Sequence, residues 1–316
     1  MPLQPPRRLA LPLPLAFLVI ATLLLVATRA EPSRADVGPP AAGGFWQAWG
    51  DGRAELTGYD LVTPRYGTPR KGEMVLIYVT EDMDRRTWIK DDRGDLPAEY
   101  RVPVLKLNQV LEFRTGIYPY SVMTSVFSPV SGGDGEPFSP AKVSLSAQEW
   151  CGHVFHAIWP VGSTFRSEIH SYFSSEGDAE EEVAVDRNAL YEDALLIQIR
   201  ELDGPFAGGA DWSGALVPTL WGRRKEHVPL RPVPATIRRS AAARDGVPVH
   251  RFVLSYPGTT RTFDVEQAAP HRILGWKGAD GEIATLRRTA RLAYWKLNAA
   301  GGEEYLREIG LGAPQD

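Results

Sequence analysis

A single cysteine, Cys151, stands in a chain of 316 residues. One thiol closes no internal disulfide, so any folded form must be held by core packing. The phosphate loops G-x-x-x-x-G-K-[ST] and G-x-G-x-x-G and the nucleophile elbow G-x-S-x-G are also missing, which removes the motif-level case for nucleotide binding or serine hydrolysis. Neither an H-E-x-x-H nor a C-x-x-C pair occurs, so no metal and no cofactor is expected. An excess of positive charge is lacking too: 35 Lys and Arg face 39 Asp and Glu, a formal net charge of −4. Loss of Arg7, Arg8 and Arg29 with a leader would make the remainder more acidic still, a poor match for a phosphate backbone, so nucleic acid is not an expected partner. No long amphipathic helical period and no internal repeat are found.

What is present begins with a leader-like segment. Arg7 and Arg8 precede an apolar run from Leu9 to Ala27, followed by the small residues Ala27, Thr28 and Ala30, the layout of a secretory signal. The expectation is a signal peptide over 1–30, with an uncleaved anchor as the alternative, since the run is about long enough to cross a bilayer. Export to the periplasm or cell envelope follows, with membrane contact through this segment if it is retained. A Pro/Ala/Gly tether covers 31–44, and a β-rich domain spans 45–316 with a candidate subdomain boundary at 203–214.

The domain carries a two-residue rhythm. Leu105, Leu107, Leu111 and Phe113 alternate with Lys106, Asn108, Glu112 and Arg114, the pattern of a half-buried strand. Val143–His156, Ser167–Ser174 and the stretches around Phe252–Leu254 and Phe263–Val265 continue it; Leu195, Ile197 and Ile199 alternate likewise and are expected as a strand. Gly177–Glu182 reads as a solvated acidic loop, Arg223-Arg224-Lys225 as solvated edge charges, and Glu303–Ile309 as a closing helix stopped by Gly310. Strand follows strand with short turns. The expected fold is therefore mostly β, a curved antiparallel sheet, half-barrel or barrel-like, with few short helices.

Two groups of residues carry candidate chemistry. Polar side chains interleaved with aromatics, Lys106, Asn108, Arg114, Tyr118, Tyr120, Glu149 and Trp150, form a ligand-binding set if they line a concave face. Otherwise Arg114 and Glu149 read as an ion pair supporting the bend at Pro119. Cys151 with His153 is the alternative, a thiol nucleophile and its base, although two residues of strand rise about 6.5–7 Å, too far for a direct bond unless Gly152 makes a bulge. A non-enzymatic binding protein is the favoured expectation, its partner a lipid or other amphiphile or an envelope protein. An exported cysteine-dependent enzyme is the second.

The strings R-Y-G-T-P-R-K-G from Arg65, V-L-K-L-N from Val104, F-R-T-G-I-Y-P-Y-S-V-M-T-S-V-F from Phe113 and S-A-Q-E-W-C-G-H from Ser146 resemble a family of exported bacterial proteins often labelled septum formation inhibitor Maf. The likeness covers roughly Phe45 to Asp203. True Maf proteins are cytosolic nucleotide pyrophosphatases with an N-terminal S-x-S-P-R-R type motif, which this chain lacks, so the resemblance implies export and not that activity. The later strands are similar in pattern to envelope proteins whose curved antiparallel sheet shields lipid.

Overall fold

The computed structural model describes residues 44–130, 138–202 and 211–312. The expected leader over 1–30 and nearly all of the tether lie outside the described residues, as do 203–210 of the expected boundary.

A helix α1 (Gly44–Trp49) leads into a meander of nine strands: β1 (Ala54–Arg65), β2 (Thr68–Asp84), β3 (Ile89–Lys90), β4 (Arg101–Thr115), β5 (Tyr118–Pro129), β6 (Lys142–Glu149), β7 (Gly152–Val161), β8 (Thr164–Ser171) and β9 (Asp178–Ala184). A central segment follows, with β10 (Leu190–Tyr191), a 3-10 turn (Glu192–Ala194) and α2 (Leu195–Glu201). After β11 (Trp212–Val217) and α3 (Leu220–Glu226), a second meander runs through β12 (Val233–Arg244), β13 (Val247–Tyr256), β14 (Thr259–Glu266), β15 (Ile273–Gly278) and β16 (Ile283–Leu292). The last element is a 3-10 helix (Gly302–Ile309) that stops at Gly310, held at φ 76°.

All of these strands belong to one sheet of order β10-β11-β12-β13-β14-β15-β16-β1-β2-β4-β5-β6-β7-β8-β9, with β3 paired to β2. Every pair is antiparallel except β10–β11. The mostly β, antiparallel expectation holds, and the sheet is open, its edges being β9 and β10. Strands after Trp212 extend the same sheet that the earlier ones build, joined at β1–β16.

The sheet is bent around its own central segment. Tyr78 of β2 donates to the Leu196 carbonyl at 3.1 Å, Gln109 of β4 to the Asp193 carbonyl at 3.1 Å, and Arg261 of β14 to Glu192 at 2.9 Å. β4 and β14 are separated in the sheet by β2, β1, β16 and β15, so a flat sheet could not bring both to the same three-residue turn. The face that does so is the concave one. It presents Leu105, Leu107, Leu111 and Phe113 to the main core, together with Phe252, Leu254, Phe263 and Trp276 from the second arm.

Three expectations are corrected. Leu195–Ile199 is helical, not a strand. Leu195 through Arg200 are buried on every side, Gln198 and Arg200 included, so this seven-residue helix has no solvated face to reveal its period. Gly177–Glu182 is not a loop: its acids lie on the edge strand β9, where charge discourages pairing with another chain. Arg223-Arg224-Lys225 sits on α3 and not on a sheet edge. Arg224 there is largely buried against Glu176 at 2.9 Å, and Lys225 pairs with Asp280 at 3.4 Å.

Candidate functional site

A cavity of about 250 Å³ opens between the two arms of the sheet, over the central segment. Inner-face side chains of one arm, Met74, Gln109, Leu111, Val122 and Thr124, form one wall. The opposite wall comes from Tyr256, Arg261, Trp276 and Glu282, and α3 closes one side with Thr219, Trp221 and Lys225.

Local structure explains how the polar groups arrive there. The Glu192-Asp193 turn faces the start of α3: Glu192 accepts the Thr219 N–H at 3.2 Å and Asp193 accepts the Leu220 N–H at 3.0 Å, so two acids satisfy donors that the first turn of a helix leaves free. Thr219 caps the same helix through the Gly222 N–H at 2.8 Å. Glu192 also takes the Tyr256 hydroxyl and the Arg261 guanidinium, both at 2.9 Å. Arg261 reaches Glu282 at 3.0 Å, and Glu282 accepts the Trp276 indole N–H at 2.8 Å. Burial pushes the Asp193 carboxyl up to about 7, against the pull of its bond from Leu220. One donor is left over: Trp221 Nε1 is buried without an acceptor among the described residues.

The sequence-derived candidates divide between two faces. Lys106, Asn108 and Arg114 lie on the outer face, because they alternate with the core-facing leucines of β4. There Lys106 pairs with Glu81 at 3.2 Å, Asn108 accepts from the Ser125 hydroxyl at 2.8 Å, and Arg114 donates to the Ile117 carbonyl at 3.2 Å. Arg114 and Glu149 are therefore on opposite faces and form no supporting pair. Glu149 shares the inner face with Leu145 and Ala147 and accepts the Cys151 N–H at 2.6 Å.

Tyr118, Tyr120 and Trp150 are brought together. Tyr120 stacks on Phe113 with ring centres 4.7 Å apart, and a ladder of rings runs from Trp221 at the cavity wall to Tyr120 (6.4 Å), Tyr118 (5.9 Å) and the exposed Trp150 (6.3 Å). The Arg65 guanidinium lies over Tyr66 and Tyr120 and donates to the Lys225 carbonyl at 3.1 Å, tying β1 to α3 beside this ladder.

Cys151 sits in the turn between β6 and β7, exposed, and His153 projects from the outer face of β7. The side-chain bond to Glu149 pushes the thiol up from its ordinary range, with burial adding to it, which disfavours the thiolate a nucleophile needs. The more buried His156 bonds Ser167 at 2.9 Å instead. Among the described residues no group of three His, Cys, Asp or Glu is placed to hold a metal ion, and no helix is long and apolar enough to cross a membrane.

Sequence reasoning missed Glu192, Asp193, Arg261 and Glu282. The visible signal was an acidic pair set directly against the apolar run Ala194–Ile199, which a solvated loop has no reason to carry. Comparison with protein-family models, curated proteins and solved structures finds no match to this chain.

Proposed function

We propose that this protein binds a small amphiphilic molecule in the cavity on the concave side of its sheet, with the ladder of rings from Trp150 to Trp221 as the way in. The observation that carries this reading is the division of the cavity wall: Met74, Leu111, Val122 and Leu196 offer apolar surface, while Glu192, Tyr256, Arg261 and Glu282 form a continuous polar network opposite. Trp221 Nε1 adds a buried donor that a ligand acceptor would satisfy. The volume lies just below the ~300–1,000 Å³ of pockets that take drug-sized ligands, so the reading is a compact ligand and not a diacyl lipid. Even without Asp193, which burial holds up at about 7, Glu192, Glu226, Asp280 and Glu282 outnumber Arg261 and Lys225, which favours a cationic head. Placement outside the cytoplasm belongs to the same proposal and rests on the leader-like N-terminal sequence.

The test uses octylammonium and octyl sulfate as probes, with the unfolding midpoint as readout. Octylammonium raises the midpoint of the parent protein and octyl sulfate does not. Thr124→Trp, which fills the cavity from β5, removes the shift. Equal shifts with both probes, or none with either, would sink the reading.

A further inference from the structure

The turns of the first meander alternate between the two ends of the sheet. Those joining β1–β2, β4–β5, β6–β7 and β8–β9 therefore fall at one end, the end where α3 and the turns after β13 and β15 surround the cavity. Each of these four hairpin tips carries one large apolar residue turned to solvent: Tyr66 at 61% exposure, Ile117 at 77%, Trp150 at 68% and Tyr172 at 72%. Elsewhere among the described residues only Ile89 and Val161, of the large apolar side chains, exceed 60%, both at the opposite end, and neither is aromatic.

The tips are held out by their local geometry. Tyr66 and Gly67 both take positive φ, 55° and 69°, as a tight two-residue hairpin requires, and Tyr66 is fixed by a 2.8 Å bond between its hydroxyl and that of Tyr120. Tyr172 packs on bare backbone at Gly152, where a Cβ would come within 2.6 Å of its ring. Neighbouring tips are two strand spacings apart, ~10 Å, so the four describe a rim of roughly 30 Å.

Charge accompanies the rim. Arg70, Lys71 and Arg114 flank the first two tips, and none of them has a carboxylate partner among the described residues, while Glu149 and Glu176 stand at the third and fourth. Amphipathic rings and aliphatic tips beside unneutralised cations are what the boundary of an anionic bilayer accommodates, the rings at headgroup depth and the cations against lipid phosphates.

We propose that this hairpin-tip rim docks on the surface of an anionic lipid bilayer, with the cavity mouth facing the membrane. The proposal does not depend on what the cavity holds, because the rim residues are exposed whether or not it is filled.

Cys151, next to Trp150 at the third tip and the only cysteine of the chain, provides the probe position. The full chain is labelled there with an environment-sensitive fluorophore and mixed with phosphatidylcholine vesicles containing one third phosphatidylglycerol. A second chain, Cys151→Ser with Val161→Cys, carries the label at the opposite end of the sheet. The expected result is a blue shift at position 151 that weakens with added salt, with no shift at position 161. Equal shifts at both positions would mean that the chain is held by another segment without this orientation. A shift at 151 as large on pure phosphatidylcholine would overturn the anionic surface, and one that needs protein concentration but no vesicles would assign the rim to a second copy of the chain. Ile117→Ser with Trp150→Ser is expected to abolish the shift; retention of the full shift in a folded double variant would equally overturn the proposal.

Discussion

At the scale of single residues, two buried titrating groups pull stability in opposite directions. Burial holds Asp193 up at about 7, whereas an unfolded aspartate titrates near ~3.9. Between those values the folded form keeps a proton that the unfolded form has released, so stability falls as pH rises through the window. Burial pulls His156 down to about 4, against ~6.5 unfolded. There the unfolded chain binds its proton first, so stability is lost as pH falls through that window. Between about pH 4 and 6.5 the two slopes oppose one another.

Asp193→Asn keeps an acceptor for the Leu220 N–H and removes one slope. Urea unfolding at pH 8 is expected to show a gain on the order of 2–4 kcal/mol, and stability should then climb with pH between about 4 and 6.5. A variant no more stable than its parent at pH 8 would show that the carboxylate carries no burial penalty. None of this was legible in the sequence, where Asp193 is one acid in a polar-looking turn; its burial comes from strands far along the chain. The aromatic residues fared differently. Tyr118 and Tyr120 are two apart in an alternating run, so their shared face follows from spacing, whereas Trp150 joins them only through the pairing of β5 with β6.

At the scale of elements, α2 is the piece around which the sheet is bent, and one guanidinium, that of Arg200, fixes it. Arg200 makes a two-pronged contact with Glu55 of β1, its Nη2 lying 2.9 Å from Oε2, and both side chains are almost wholly buried. Arg200 Nη2 also donates to the Pro270 carbonyl at 3.1 Å, so one guanidinium joins both arms to the helix. Arg200→Met leaves Glu55 buried and uncompensated and also takes from Glu201 the Nε partner it has at 3.3 Å, an expected loss of about 3–5 kcal/mol in urea unfolding. Adding Glu55→Leu should restore a large part of it, since a packed apolar pair replaces two desolvated charges at little net cost, while the more exposed Glu201 keeps its Trp49 bond. A double variant as unstable as the single one would refute this division between charge and packing. The helix was unreadable because all its faces are covered, whereas the 3-10 helix Gly302–Ile309 was legible from its apolar spacing and Gly310.

At the scale of the whole molecule, an open sheet has two edges to protect. β10 is short, and β9 carries Asp178, Glu180, Glu181 and Glu182 along its length. Glu180→Val with Glu182→Val removes two of those charges from one face, and the expected outcome is concentration-dependent self-association in light scattering. A double variant that stays monomeric at all concentrations would show that the edge is guarded by something other than charge. The two meanders meet at β1–β16, where the C-terminal strand pairs with the first, and the 3-10 helix lies over that junction with Ile309 and Leu311 against Leu56 and Val79. Nothing in the local pattern of either meander announces this closure, because it joins residues more than two hundred positions apart.

The alternation of apolar and polar residues determined the strands, their short turns and the antiparallel class, since side-chain direction in a pleated chain is a local property. Only the tertiary structure decided which face is hollow, that Leu195–Glu201 is a helix inside it, and that Glu192 meets Arg261 sixty-nine residues away. Those outcomes depend on burial among segments remote in sequence, and a residue's immediate neighbours carry no record of what will cover it.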